Sequence, residues 1–311
     1  MLHPDLIPSE SALRGADAHR LGGQVQALEQ ASSLHAGDVV LLGLCNDQGV
    51  RANGGRPGAA EGPTAFRRAF FRLDATCLGQ RTLWDAGDVP ASAPYDSFLE
   101  AGRRVVGTCV RAQALPIVIG GGHDCSYGSY QGLCDALGAA PAVIAVDAHL
   151  DLRPTHGPSS GNPFYRMLEH GLPGDHLVEV GLVPWVNAAA HRQYAEAKGA
   201  ALHFLEPGHE HLSVDRVREA LAAFEAKSPR ILATLDLDAF SAATAPGVSA
   251  VNPWGLSAGS GLAMAQALGD CPAVACLDLM ELAPPLDADG RTARFAAFLA
   301  AAFLEARHSR Q

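Results

Sequence analysis

Short apolar runs recur along the chain, each too short for a buried helix, and most end in Gly, Asp or another polar residue. They cover residues 39–43, 116–120, 142–146, 177–181, 231–235 and 274–277. Unbroken apolar character over so few residues predicts strands covered on both faces, as in a parallel sheet. Ala-rich stretches with helix-like character lie between them, at 95–112, 187–198 and 217–226. This alternation predicts an α/β fold, a three-layer, doubly wound arrangement with a mostly parallel sheet. No repeat and no long Pro/Gly/Ser linker divides the chain, so residues 1–311 read as one domain, with about the first 35 an arm or irregular helix. The Gly/Pro-rich stretches 53–63 and 155–163 read as functional loops on that scaffold.

Composition narrows the function classes. With 311 residues, 48% of them hydrophobic, the chain can bury one large core. A formal charge of −10 argues against a nucleic-acid partner, which needs a basic patch. It leaves room for an anionic small molecule held by a local Arg cluster. The seven cysteines are scattered without a CxxC pair, which argues against a disulfide framework or zinc ribbon. The opening residues lack a basic region followed by an apolar stretch, and no run approaches the length of a membrane span. A cytoplasmic address without membrane attachment is the expectation.

Three of the apolar runs end in residues able to bind metal: GGGHD at 120–124, DAHLD at 147–151 and DLD at 236–238. Ligands of open parallel sheets bind beyond the carboxyl ends of the strands. Side chains two apart on an extended segment point the same way. Asp147, His149 and Asp151 can therefore converge, faced by Asp236 and Asp238, with His123 approaching from a neighbouring strand. Four carboxylates with two imidazoles suit Mn²⁺ better than structural zinc, which favours thiolate or imidazole, or calcium, which is held by oxygen alone. Two carboxylates about 5 Å apart repel by roughly 3 kcal/mol at an effective dielectric near 20. Two divalent cations would offset that repulsion and could hold a hydroxide nucleophile. A lone DxD more often caps a helix or sits on a solvated loop, and GGGHD alone could be a tight turn. DxHxD at a strand end is far more specific, and all three in this order make accident improbable. Dinuclear phosphoesterases also use DxH and Gly-His elements, but with DxH first; here Gly-His precedes it.

The ordered set GGGHD, DAHLD and DLD resembles the ureohydrolase superfamily of arginases, agmatinases and formimidoylglutamases, over about residues 39–295. The resemblance implies an arginase-like fold and two Mn²⁺ per subunit. His123, Asp147, Asp151 and Asp236 would hold one ion, and Asp147, His149, Asp236 and Asp238 the other, with Asp147 and Asp236 bridging. A hydroxide between the metals would attack an amidine-type carbon. It also implies a homo-oligomer.

Arginases carry a proton-shuttling His four residues after the Ser of their substrate loop, where this chain has Phe164. Asp151-Leu152-Arg153-Pro154 followed by Ser159-Ser160-Gly161-Asn162-Pro163-Phe164-Tyr165 is similar to the formimidoylglutamase pattern, with Asn162 where that pattern has Thr. Residues 49–51 with 55–63, 245–250 and 289–294 carry further likeness. The implied reaction is hydrolysis of N-formimidoyl-L-glutamate to L-glutamate and formamide in histidine degradation.

That substrate carries two carboxylates and one amidine. Arg153 could pair with a carboxylate, although an unplaced arginine is as often a surface ion pair. Ser160 and Asn162 could bond the amino-acid end, or simply form a turn. Glu281 matches the family Glu that grips the amidine, although alone it would read as a loop charge. Asn187 is a weaker substrate candidate and an equal candidate for a helix N-cap. His156 could replace the missing shuttle or be a solvated loop residue, while Trp254 and Phe164 read as pocket walls. Which of Arg51, Arg56, Arg153 and Arg166 grips each carboxylate stays open. The alternatives are a guanidino hydrolase releasing urea and a catalytically silent metal-binding scaffold.

Overall fold

The computed structural model describes residues 6–9, 15, 17–227 and 230–308. Nine strands run through it: β1 Gln26–Ala27, β2 Val39–Leu44, β3 Leu83–Val89, β4 Leu115–Ile119, β5 Ala142–Val146, β6 Leu177–Leu182, β7 Ala201–Phe204, β8 Ile231–Asp236 and β9 Val274–Met280. They form one sheet in the order β1-β3-β2-β4-β9-β8-β5-β6-β7. Every pairing between these strands is parallel.

The apolar runs become β2, β4, β5, β6, β8 and β9 because both faces of the sheet are covered. In β4, Ile117 faces one core and Val118 the other; in β5, Ile144 faces one and Val143 and Ala145 the other. Helices Gly62–Phe70, Leu212–Lys227, Ala258–Asp270 and Arg291–His308 cover the first face. Helices Tyr95–Arg111, Ser126–Leu137, Pro163–Glu169 and Ala189–Lys198 cover the second, which completes the three layers. Each fully buried Val, Leu or Ile contributes roughly 1.5–3 kcal/mol of transfer free energy, so the central strands are the stiff part of the scaffold.

β3 escaped the apolar-run reading for a physical reason. Its sequence, Leu-Trp-Asp-Ala-Gly-Asp-Val, is interrupted by Asp85 and Asp88, both buried. Arg67, reaching from helix Gly62–Phe70, pairs with Asp85 at 2.8 Å and Asp88 at 2.6 Å, and Ser9 donates to Asp85. Buried charges persist where they are paired in this way. Of the expected N-terminal arm, residues 1–5, 10–14 and 16 lie outside the described residues; Ile7 bridges Asp88 in antiparallel sense, and β1 forms a sheet edge. Among the described residues no helix is long and apolar enough to cross a membrane.

Candidate metal centre

Four neighbouring strands, β4, β9, β8 and β5, end on one side of the sheet and deliver the polar residues that follow them. After β4 the chain turns through three glycines. A β-carbon on Gly121 would fall 1.5 Å from the Asn46 carbonyl oxygen, so only glycine allows this passage. The turn carries His123 beneath the end of β8. Its Nδ1 lies 2.8 Å from Asp147 Oδ2, 3.1 Å from Asp151 Oδ2 and 3.2 Å from Asp236 Oδ2. His149, half-buried, faces outward from the same cluster, with Nδ1 3.1 Å from Asp238 Oδ2 and 3.6 Å from Asp147 Oδ1. All six predicted ligands are thus brought together, in two overlapping sets. One is His123, Asp147, Asp151 and Asp236; the other is Asp147, His149 and Asp238.

The donor set fits divalent cations. His123 Nδ1, Asp147 Oδ2, Asp238 Oδ1 and Glu281 Oε2 are buried without a hydrogen-bond partner, although three carboxylate oxygens crowd that nitrogen. One ring proton cannot satisfy three acceptors, whereas a hard or borderline cation coordinates imidazole and carboxylate together. Protonation follows the same crowding. Burial, reinforced by the charge of Asp147, pushes the Asp151 carboxyl up to about 7. Burial and then Asp236 push Asp238 well above the usual carboxylate range. Burial would also raise Asp147, but the two imidazoles override it and hold that carboxyl at about 2. Burial alone would lower His123, yet Asp147, Asp151 and Asp236 raise it well above its ordinary value.

Glu281 follows β9 directly. Its Oε1 accepts the His123 backbone N–H at 3.1 Å, and burial together with Asp236 and Asp238 raises its pKa well above normal. Asp151, at φ 45°, and Glu281, at φ 66°, both take left-handed backbone, where a β-carbon is costly.

A cavity of about 480 Å³ opens onto this cluster, with His149, Asp151, Asp236, Asp238 and Glu281 in its floor. Arg153, Ser160 and Asn187 line it too, as do Asn53, Arg56, His191 and Ser249, which the sequence reading had not singled out as contacts, apart from Arg56 among four arginines. The stretch 53–63 reads in the sequence as a functional loop, and Asn53 is tied to Ser160 at 3.2 Å. His191, on an Ala-rich helix, carried no signal.

The side chains of the other candidate residues are engaged in bonds or ring contacts of their own. Asn162 is buried under its own loop and donates to Thr155 and Gly157, so its amide holds the loop and does not line the cavity. Asn187 precedes helix Ala189–Lys198 without capping it. Its side chain accepts from Leu150 N–H and donates to the Ala148 and Val183 carbonyls, which pins the ligand-bearing segment. Arg51 is paired with Asp47 at 2.9 Å, and Arg166 lies over the Tyr127 ring at 3.9 Å. Phe164 is buried edge-on against His123, with ring centroids 5.2 Å apart. His156 packs on Tyr165, and Trp254 stacks on Trp185 and donates to Glu210.

The Arginase family model matches residues 37–305. A formimidoylglutamase of Geobacillus thermodenitrificans is 34% identical over 303 residues, spanning 94% of this chain and 90% of that one. One of Rhodococcus jostii is 35% identical over 299 residues, spanning 92% and 91%. A crystal structure of Trypanosoma cruzi formiminoglutamase with Mn²⁺ superposes with a TM-score of 0.85 at 30% identity, covering 95% of this chain and 100% of that one.

Proposed function

Given that the chain belongs to the arginase family and is a hydrolase of that family, we propose that it cleaves N-formimidoyl-L-glutamate to L-glutamate and formamide at a pair of manganese ions. One observation carries this assignment: the cavity above the carboxylate and imidazole cluster is lined by two arginines, Arg56 and Arg153. A substrate with one amidine and two carboxylates needs an acidic floor and a cationic wall. The relatives named formimidoylglutamase, one of them with Mn²⁺, support the same reading.

His123, Asp147, Asp151 and Asp236 would hold one ion and Asp147, His149, Asp236 and Asp238 the other, with Asp147 and Asp236 shared. Bound there, the two ions would neutralise the carboxylates and supply activated water as nucleophile. Glu281 accepts N–H groups of the amidinium and so orients its carbon over the cluster. Arg153, whose stem lies across Gly161, pairs with one substrate carboxylate; a β-carbon at 161 would fall 2.9 Å from its Cδ. Arg56 is anchored by the Ser249 and Val248 carbonyls, at 2.9 and 2.8 Å, and supports the second. Ser160 stands at the amino-acid end of the substrate, while Asn162 and Asn187 hold the loops that carry these groups.

Product analysis tests the proposal. Manganese-loaded protein is given N-formimidoyl-L-glutamate, arginine and agmatine in parallel. Glutamate and formamide are expected from the first alone; urea from either guanidine would overturn the substrate, and no turnover of any would remove the hydrolytic reading. Arg153→Ala should raise KM on the order of 10- to 100-fold with kcat little changed, since it removes a charged hydrogen bond shared by ground and transition states. An unchanged KM would take Arg153 out of the substrate site.

A further inference from the structure

Beneath the row of ligands the sheet carries a second polar row. The register aligns Asp278 of β9 with Thr234 of β8, Thr234 with Ala145 of β5, and Ala145 with Glu179 of β6. Aligned residues of parallel strands leave the sheet on one face, and Asp236 and Asp147 follow two positions later on that same face. Thr234 and Asp278 are fully buried, and neither carried a signal as a site residue in the sequence.

Their hydrogen bonds form a chain leading away from His123. Thr234 Oγ1 lies 2.9 Å from His123 Nε2 and 3.0 Å from Ser126 Oγ. Asp278 Oδ1 accepts from Ser129 Oγ at 3.0 Å and from Cys276 Sγ at 3.3 Å, and the nearby Ser126 hydroxyl favours its ionised form. Burial pushes the Asp278 carboxyl up to about 7, and above that pH the ionised carboxylate can only accept. With its proton turned towards Asp278, Ser126 accepts from Thr234 and leaves the Thr234 oxygen to accept from the ring.

We infer that Thr234, Ser126 and Asp278 are positioning residues that hold His123 in one tautomer, with Nε2–H directed into the chain and the Nδ1 lone pair directed at Asp147, Asp151 and Asp236. This rests on the dinuclear reading of the site. A ligating imidazole is commonly oriented through its other nitrogen, and loss of such a partner typically weakens metal binding by about 10- to 100-fold. The chain ends on His123, and among the described residues it makes no hydrogen bond to His149, so its loss should act on one ion of the pair.

The test is manganese binding by calorimetry and metal content, with electron paramagnetic resonance of the bound ions, on purified full-length protein. Thr234→Val keeps the side-chain shape and removes the hydroxyl; Thr234→Ser restores it. Asp278→Asn, whose amide also donates, disturbs the direction of the chain without emptying the space. In Thr234→Val and Asp278→Asn the ion on the His123 side should bind about 10- to 100-fold more weakly, and the coupled two-ion spectrum should give way to that of an isolated ion. Thr234→Ser should restore both. If wild-type protein binds a pair and the Val and Asn variants bind it equally well, or if both ions weaken together and Ser does not rescue, the positioning role falls alone. If wild-type protein binds no pair, the role falls together with the dinuclear assignment.

Discussion

Asp147→Ala protein is expected to lose both bound manganese ions and at least about a thousandfold in kcat, because the residue serves both halves of the centre. Its Oδ2 lies 2.8 Å from His123 Nδ1, while Oδ1 accepts the His149 backbone N–H at 2.7 Å and faces the His149 ring. Among the described residues, Asp147 alone belongs to both ligand sets defined by distance. Removing it therefore breaks each set, whereas Asp151 and Asp238 belong to one set apiece and their loss should cost one ion first. Asp236→Ala should behave like Asp147→Ala if it is the second shared ligand. Metal content after dialysis, read beside kcat, distinguishes these outcomes. An Asp147→Ala protein that keeps two ions and full activity would refute the shared role.

Without metal, stability should decline as pH rises from about 4 to above 7, and manganese should reverse the trend. The Asp151 carboxyl, raised by burial to about 7, binds a proton in the folded state that the unfolded chain has already released. A raised acid places no burden on folding below its ordinary pKa of 3.8, and destabilises progressively as pH climbs through the folded value. Asp238 and Glu281, raised by burial and neighbouring carboxylates, act in the same direction. The raised imidazoles add to it: their stabilisation is complete below 6.5 and is lost as pH rises towards their folded values. Asp147, held at about 2, works in the opposite sense, but only between about 2 and 3.8. Chelator-treated protein should therefore melt on the order of 5 °C lower at pH 8 than at pH 5. Manganese should stabilise more at pH 8, because the ligands need not shed protons to bind it. A metal-free melting temperature that rises across this window would contradict the assigned crowding.

The sequence made the centre of the sheet and the metal cluster readable for one reason: at both, local pattern and tertiary role coincide. An apolar run ending in DxHxD states its burial and its chemistry within ten residues. β3 was hidden because the apolar pattern breaks at Asp85 and Asp88, and their partner Arg67 lies on a helix outside the strand. β7 is half-exposed at the sheet edge, and the two residues of β1 are too few to show a period. In the cavity, loop residues near the motifs were legible and His191 was not, since a single histidine on a helix gives no sign of what the helix faces. Asn162 and Asn187 show the limit of reading by position. Both lie where a substrate contact is expected, but their amides are bonded to backbone groups. Thr234 and Asp278 pass in the sequence as ordinary interruptions of a strand, and only the register brings them behind His123.

The left-handed backbone at Asp151 and Glu281 sets the interests of a thermostability screen against those of catalysis. Glycine at either position would relax the chain by about 1 kcal/mol, and asparagine by somewhat less. Each would also remove a buried carboxyl that repels its neighbours in metal-free protein. A library of variants ranked by melting temperature in the presence of chelator would therefore promote, at these two positions, the substitutions least able to turn over substrate. Directed improvement of this scaffold has to be selected with the metal present and activity measured alongside, or it will select against the groups proposed to bind metal and substrate.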